Sequence, residues 1–103
     1  MSVYFCAFIR VHDDALYARY LEGTDAALAG TGGEVLAVDP APVVLEGAPC
    51  GGRAVLVRFP DEAAFRGWYE SEVYRRIAAI RYAASEGDAL LVKGRPGPEE
   101  QER

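Results

Sequence analysis

The sequence predicts one α+β domain with the element order β-α-β-β-α-β. Three observations predict it. A chain of 103 residues suits a single compact domain. Short apolar runs typical of strands alternate along it with stretches of helical spacing, in that order. The first strand-like run is apolar on both faces, so it belongs in a sheet that is covered on both sides.

The first strand is predicted from Val3 to Val11, a run rich in β-branched and aromatic residues. Alternation places one apolar set of side chains on a first face: Val3, Phe5, Ala7, Ile9 and Val11. The opposite face carries a second set, which is also largely apolar: Tyr4, Cys6, Phe8 and Arg10. Both faces of this strand therefore need a partner.

A helix follows. Asp13 is positioned as its N-cap, and acidic residues in a first turn favour the helix dipole. The side chains of one stripe recur at helical intervals: Leu16, Tyr17, Tyr20, Leu21, Thr24 and Leu28. Residues 30–33 (Gly-Thr-Gly-Gly) end the helix, because glycine readily adopts left-handed backbone angles.

The second and third strands are predicted at residues 34–39 and 53–59. Pro40 and Pro42 interrupt the second strand, which predicts a bent or edge position for it. Between the two strands, residues 43–47 suggest a short extended piece and residues 48–52 form a loop by composition.

A second helical stretch begins at Asp61, and Ser71 is the predicted N-cap of the helix that follows. Residues 86–88 (Glu-Gly-Asp) predict a turn, and residues 89–93 the last strand. The domain is predicted to span residues 1–95. Residues 96–103 are polar and acidic with two prolines, which predicts a disordered tail.

This order is that of the ferredoxin-like split βαβ fold, a four-stranded antiparallel sheet with the helices on one face. The helices leave the other face open, although the first strand is apolar there. A second copy packed sheet against sheet is the simplest cover, so we expect a homodimer. The alternative is a monomer that binds a ligand on the open face.

Charge and cysteine content exclude several classes of protein. The formal net charge of −5 argues against a basic surface for nucleic acid or anionic lipid. No apolar run reaches the roughly 20 residues that span a bilayer, and no signal peptide is recognised. One histidine and two distant cysteines match no zinc spacing, so we expect no metal and no cofactor. Two cysteines are too few for a disulfide scaffold, which favours a cytoplasmic protein with free thiols.

A set of residues spread along the chain resembles a known family: Tyr20, Gly32-Gly33, Leu45-Glu46-Gly47, Phe59-Pro60, Trp68-Tyr69-x-Ser71-x-x-Tyr74, Arg81 and Gly94. Its most specific part is Phe59-Pro60 followed by Trp68-Tyr69 and Tyr74. Over about residues 3–94 the chain resembles the domain-of-unknown-function family 1330, in the dimeric α/β-barrel superfamily. The Pro-rich residues 39–42 depart from the common pattern.

The resemblance implies a ferredoxin-like subunit and a dimer whose two sheets form a barrel, with no established activity. Relatives in the superfamily include cofactor-independent monooxygenases of polyketide aromatics, small-molecule isomerases and decarboxylases, stress-response proteins and amino-acid-sensing domains. The fold therefore does not fix the chemistry.

Arg81 is the first candidate site residue. It shares a helix stripe with Tyr74 and Ile77, where a guanidinium needs an acceptor because an unpaired buried charge is costly. Glu46, an acid at the end of an apolar run, is a candidate partner, which would make the pair a structural clamp. Alternatively, Arg81 caps backbone carbonyls or anchors an anionic ligand, since arginine binds carboxylates in a bidentate manner.

Four further residues are candidates for ligand contact. Tyr20, Tyr69 and Tyr74 bring hydroxyl groups to an apolar surface, where they are either ordinary core residues or the lining of a small-ligand pocket. His12 ends the first strand, where it is either an exposed loop residue or a general base at the barrel mouth. Trp68 is predicted to anchor the core.

Three functional hypotheses remain open. The first is an enzyme without cofactor that acts on a small aromatic, polyketide-like or carboxylated metabolite, as a monooxygenase or an isomerase does. The second is a non-catalytic module that binds or senses a small molecule. The third is a structural dimer without a pocket, in which Arg81 and Glu46 form a salt bridge.

Overall fold

The structure, a computed structural model, describes residues 1–48 and 51–95. Its elements in chain order are β1 (Val3–Val11), α1 (Asp14–Leu28), β2 (Glu34–Asp39), β3 (Arg53–Phe59), α2 (Glu62–Tyr69), α3 (Glu72–Ala84) and β4 (Ser85–Lys93). The predicted tail, residues 96–103, lies outside the described residues.

The strands form one antiparallel sheet in the order β2-β3-β1-β4. β1 is a central strand, and its Phe5 lies opposite Val57 of β3 and Leu91 of β4. This arrangement confirms the predicted ferredoxin-like fold. β2 lies at an edge, as Pro40 and Pro42 predicted.

Side chains cap the helices where the sequence placed their starts. The Asp13 carboxylate accepts a hydrogen bond from the Leu16 backbone N–H at 3.0 Å. The Ser71 hydroxyl accepts one from the Tyr74 N–H at 3.1 Å. Both predicted N-caps are therefore confirmed, and each satisfies a backbone donor that the first helical turn leaves unpaired.

Two local predictions were wrong. β4 begins at Ser85 directly after α3, so residues 86–88 are strand rather than turn. The long β1 supplies backbone partners along its whole length, up to the pair Val11–Ser85, and this tertiary pairing outweighs the local turn preference. Gly87 fits this pairing because a Cβ there would collide with the Phe8 carbonyl oxygen. Residues 43–47 form no strand.

The core lies between the sheet and the helices. One face of β1 is buried against them, and its neighbours on β3 and the helices complete an aromatic cluster. The buried members of that core are Val3, Phe5, Ala7, Ile9, Tyr17, Tyr20, Ala27, Val57, Phe59, Phe65, Trp68, Tyr74, Ala78 and Ala84. Trp68 is thus the core residue that was predicted. Of the two apolar faces of β1, the one that carries Val3, Phe5, Ala7 and Ile9 packs against the helices.

The opposite face of the sheet carries apolar side chains that the helices do not cover. By register they include Tyr4, Cys6 and Phe8 of β1, Leu56 of β3, and Leu90 and Val92 of β4. Leu90 is 58% exposed and Val92 46% exposed. We call this set the open face.

None of the helices in residues 1–48 and 51–95 could span a lipid bilayer.

Candidate functional site

A cleft of about 110 Å³ lies between α1 and the β2–β3 half of the sheet. Residues of β1, α2 and α3 complete its walls. Its lining residues are Phe5, Ala7, Ile9, Tyr17, Tyr20, Leu21, Thr24, Leu28, Val35, Val38, Arg53, Val55, Val57, Trp68 and Arg81. The cleft is smaller than the roughly 300 Å³ at which ordinary ligand pockets begin, so it suits a small molecule.

Arg81 is the buried charge of this cleft. It lies in the last turn of α3 and is only 7% exposed. Its guanidinium carbon lies 6.0 Å from the centre of the Tyr20 ring and 5.0 Å from that of Tyr82. Burial lowers its pKa, but the neighbouring tyrosines Tyr74, Tyr20 and Tyr82 together raise it, so the net direction is upward and the group stays positively charged.

The Arg81 charge has no acidic partner in the part of the chain that the structure describes. The ion pairs found there join Arg10, Arg58, Arg66 and Arg76 to carboxylates. Glu46 lies exposed on the β2–β3 connection and forms no ion pair with Arg81. The clamp that the sequence offered is therefore not formed. The carbonyl end of α3 and the surrounding aromatic rings stabilise the charge instead.

Two tyrosine hydroxyls, those of Tyr20 and Tyr74, lie close to each other near Arg81. The Tyr20 and Tyr74 oxygens are 3.0 Å apart and share a buried hydrogen bond. Burial, followed by the neighbouring Tyr20, raises the pKa of Tyr74 far above its ordinary value. Burial also raises the pKa of Tyr17. The phenols of Tyr74 and Tyr17 are therefore neutral at physiological pH. Tyr74 can donate a hydrogen bond but does not act as a base at that pH.

Trp68 and Arg53 are two polar cleft residues that sequence reasoning did not place in a site. Trp68 was predicted only as a core residue, but it also lines the cleft. Its buried indole N–H has no acceptor among the described residues, and no local sequence pattern predicts this. Arg53 also lines the cleft, and here a signal existed, because it alternates with Val55 and Val57 on the inward face of β3.

The predicted site residues fall into three groups. Tyr20 and Arg81 line the cleft, and Tyr74 contacts it through the Tyr20 hydroxyl. Tyr69 lies elsewhere, beside Tyr74 in a more open hollow of about 360 Å³ between α2 and α3. Burial raises the pKa of Tyr69, and Tyr82 reinforces the shift.

Glu46 and His12 lie apart from this cleft. Both are exposed, and neither lines it. The backbone N–H groups of His12 and Asp13 donate to the Ala84 carbonyl, which joins the end of β1 to the end of α3. Within residues 1–48 and 51–95, no group of three or more His, Cys, Asp or Glu side chains is placed to hold a metal ion.

A family described as "Domain of unknown function (DUF1330)" matches residues 2–95. This match confirms the resemblance drawn from the sequence. No curated protein matches the chain.

Solved structures repeat the fold at low sequence identity. A protein of unknown function from Rhodopseudomonas palustris is 18% identical with a TM-score of 0.78, the match covering 93% of this chain and 84% of that one. SnoaB, a cofactor-independent oxygenase from Streptomyces nogalater, is 21% identical with a TM-score of 0.63, covering 96% and 98%. A dimeric ferredoxin-like protein of unknown function from Jannaschia is 14% identical with a TM-score of 0.70, covering 91% and 100%. At these identities the likeness extends to the fold only.

Proposed function

The chain belongs to the DUF1330 family, and from its cleft we propose that it binds a small, largely apolar molecule carrying a carboxylate or another anionic oxygen. The observation that carries this proposal is the buried Arg81 guanidinium, which lines an apolar cleft without an acidic partner among the described residues. A buried charge of this kind costs stability unless it is paired. A ligand carboxylate would provide the missing pair.

The side chains that line the cleft indicate the chemistry of the rest of the ligand. Aliphatic side chains of β2 and β3, including Val35, Val38 and Val55, line one side, and the rings of Tyr17 and Tyr20 line another. Such walls favour an apolar or aromatic body and offer few hydrogen bonds to a polar one.

The same arrangement supports catalysis without a cofactor, of the oxygenase or isomerase kind. A fixed positive charge in an apolar cleft stabilises negative charge that develops on a substrate oxygen, as in an enolate or a phenolate. The Tyr20 hydroxyl, which hydrogen-bonds to Tyr74, would then donate a hydrogen bond to that oxygen. SnoaB, a cofactor-independent oxygenase, has the same fold, which supports this by analogy.

The second candidate is a binding module without chemistry. It is favoured by the position of His12, which is exposed and outside the cleft, so the histidine that could have served as a general base does not face the ligand space. In that case Arg81 would retain an anionic ligand that leaves unchanged.

We further propose that the working unit is a homodimer joined through the open face. Leu90 and Val92 are exposed there, in line with Leu56, Cys6 and Tyr4 on the neighbouring strands. The solved relative from Jannaschia is a dimeric ferredoxin-like protein. Burying such a sheet face against a second copy would remove about 600–800 Å² per subunit from water, a standard interface size.

Native mass spectrometry of the purified protein tests these proposals together. We expect the mass of two chains and a co-purified small acid that is lost in the Arg81→Met variant. A ligand retained unchanged through long aerobic incubation would favour the binding module. Oxygen consumption or a product of altered mass, with hydroxylated aromatic acids as probes and no added cofactor, would favour the enzyme. If small carboxylates bind wild type and Arg81→Met equally, the assignment of Arg81 is wrong.

A further inference from the structure

The cleft concentrates positive charge in a protein that is acidic overall. The chain carries 16 acidic and 11 basic residues. Among the described residues, the charged members of the cleft lining are Arg53 and Arg81, and no aspartate or glutamate accompanies them. Because partly buried arginines are ordinarily paired with acids, a lining of one sign indicates a ligand that supplies the opposite charge.

Arg53 is placed to contact such a ligand. It begins β3 opposite Ile9, whose buried side chain marks the face toward the helices. Its guanidinium carbon lies 4.9 Å from the centre of the Tyr17 ring, and the residue is half-buried. Stacking on an aromatic ring orients a guanidinium without neutralising it.

Two arginines outside the cleft differ from Arg53, because each pairs with an acid. Arg58 lies on the opposite face of β3 and pairs with Glu34 at 3.4 Å. On α2, Arg66 pairs with Glu62 at 2.9 Å. Within residues 1–48 and 51–95, no ion pair includes Arg53 or Arg81. The arginines of the cleft thus keep their charge available.

The two cations lie against neighbouring tyrosine rings. The centres of the Tyr17 and Tyr20 rings are 5.3 Å apart, with Arg53 over the first ring and Arg81 over the second. The cleft volume of about 110 Å³ leaves room for a body of one ring or a short chain between them. Two cations that contact adjacent rings of one cleft match a short molecule with two acidic groups.

We propose that the ligand of this cleft is a small dianion, such as a dicarboxylate with an aromatic or short apolar body. Arg81 binds its inner acidic group and Arg53 its outer one. This inference rests on the proposed function, which supplies the anionic group at Arg81, and adds the second group and the residue that selects for it.

Calorimetric titration with three probes tests the inference: terephthalate, its monomethyl ester and benzoate. The monomethyl ester has nearly the shape of terephthalate but one negative charge fewer. We expect wild type to bind terephthalate at least about tenfold more tightly than the ester. The Arg53→Gln variant should lose this preference, and its affinity for benzoate should fall much less than its affinity for terephthalate. The Arg58→Gln variant, altered on the same strand but outside the cleft, should keep the preference.

Three outcomes would overturn the inference. If wild type binds terephthalate and its ester equally, the protein does not recognise a second anionic group and the inference is wrong. The proposed function would still hold if benzoate binding depends on Arg81. An Arg53→Gln variant that weakens all three probes equally would make Arg53 a structural residue. Wild type that binds none of the probes would overturn both this inference and the proposed function. Circular dichroism of each variant, with Arg53→Lys as a second substitution, separates loss of binding from loss of fold.

Discussion

The Tyr20 and Tyr74 hydroxyl oxygens lie 3.0 Å apart in the buried space between α1 and α3, 54 residues apart in sequence. Their rings also meet edge to face, with centres separated by 6.4 Å. This contact joins the two long helices of the domain. It also places the hydroxyl of Tyr20, which lines the cleft, next to that of Tyr74, which does not. It therefore links the stability of the helical layer to the geometry of the site.

Removing either hydroxyl should destabilise the fold by about 1 kcal/mol, because the remaining hydroxyl loses its buried partner. We expect Tyr20→Phe and Tyr74→Phe each to lower the free energy of unfolding in urea by this amount. The double variant should lose less than the sum of the two, since the second change removes no further hydrogen bond. Strictly additive losses would show that the two hydroxyls do not interact in solution.

Stability should fall above pH 10. Burial raises the pKa of Tyr74 from its ordinary value of 10.0, so the folded state holds this proton more tightly than the unfolded state does. The stabilisation is present below pH 10 and is lost at about 1.4 kcal/mol per pH unit as the unfolded chain ionises. Urea unfolding between pH 8 and about pH 11 measures the slope. Tyr74→Phe should have a shallower slope, and an unchanged slope would contradict this assignment.

Arg81→Met should separate binding from stability. Because tyrosines rather than a carboxylate hold the Arg81 charge among the described residues, we expect its replacement by an apolar side chain of similar length to lower the free energy of unfolding by no more than about 1 kcal/mol. Benzoate affinity should fall at least about tenfold. Arg76→Met is the matched control, since Arg76 lies exposed on the same helix and pairs with Glu72 at 3.0 Å. A stability loss of several kcal/mol in Arg81→Met would instead indicate a structural ion pair.

Gly87→Ala should weaken the pairing of β4 with β1. Its new Cβ would meet the Phe8 carbonyl oxygen, a backbone atom that cannot move aside alone, so we expect a loss of about 2 kcal/mol or more. Gly67 in α2 provides the control, because nothing lies within 4 Å of its Cβ position. Gly67→Ala should stabilise the protein by about 0.5–1 kcal/mol through helix propensity. Thermal unfolding compares the two, and equal effects would argue against the close strand contact.

Leu90→Arg should prevent association through the open face. Leu90 is 58% exposed in the single chain, and a charge there would be buried unpaired if two sheets packed together. Sedimentation at micromolar concentration should show two chains for wild type and one for the variant. Val73→Arg places the same charge on α3, where Val73 is 57% exposed, and should not change the assembly. Wild type that sediments as one chain would overturn the proposed dimer.

Local sequence was enough to predict the order of the elements, the N-caps at Asp13 and Ser71, and the two apolar faces of β1. These features depend on local hydrogen bonds and on side-chain periodicity, which neighbouring residues encode directly. The inclusion of Tyr20 and Arg81 among the candidates came from the same helical spacing.

Long-range packing determines where those candidates meet and which residues surround them. The start of β4 at Ser85 depends on the length of β1, and the separation of Arg81 from Glu46 depends on the path of the β2–β3 connection. Arg53 and Trp68 enter the cleft through strand register and helix packing. Such contacts join residues far apart in sequence, so their physical cause is the packing of whole elements rather than any local pattern.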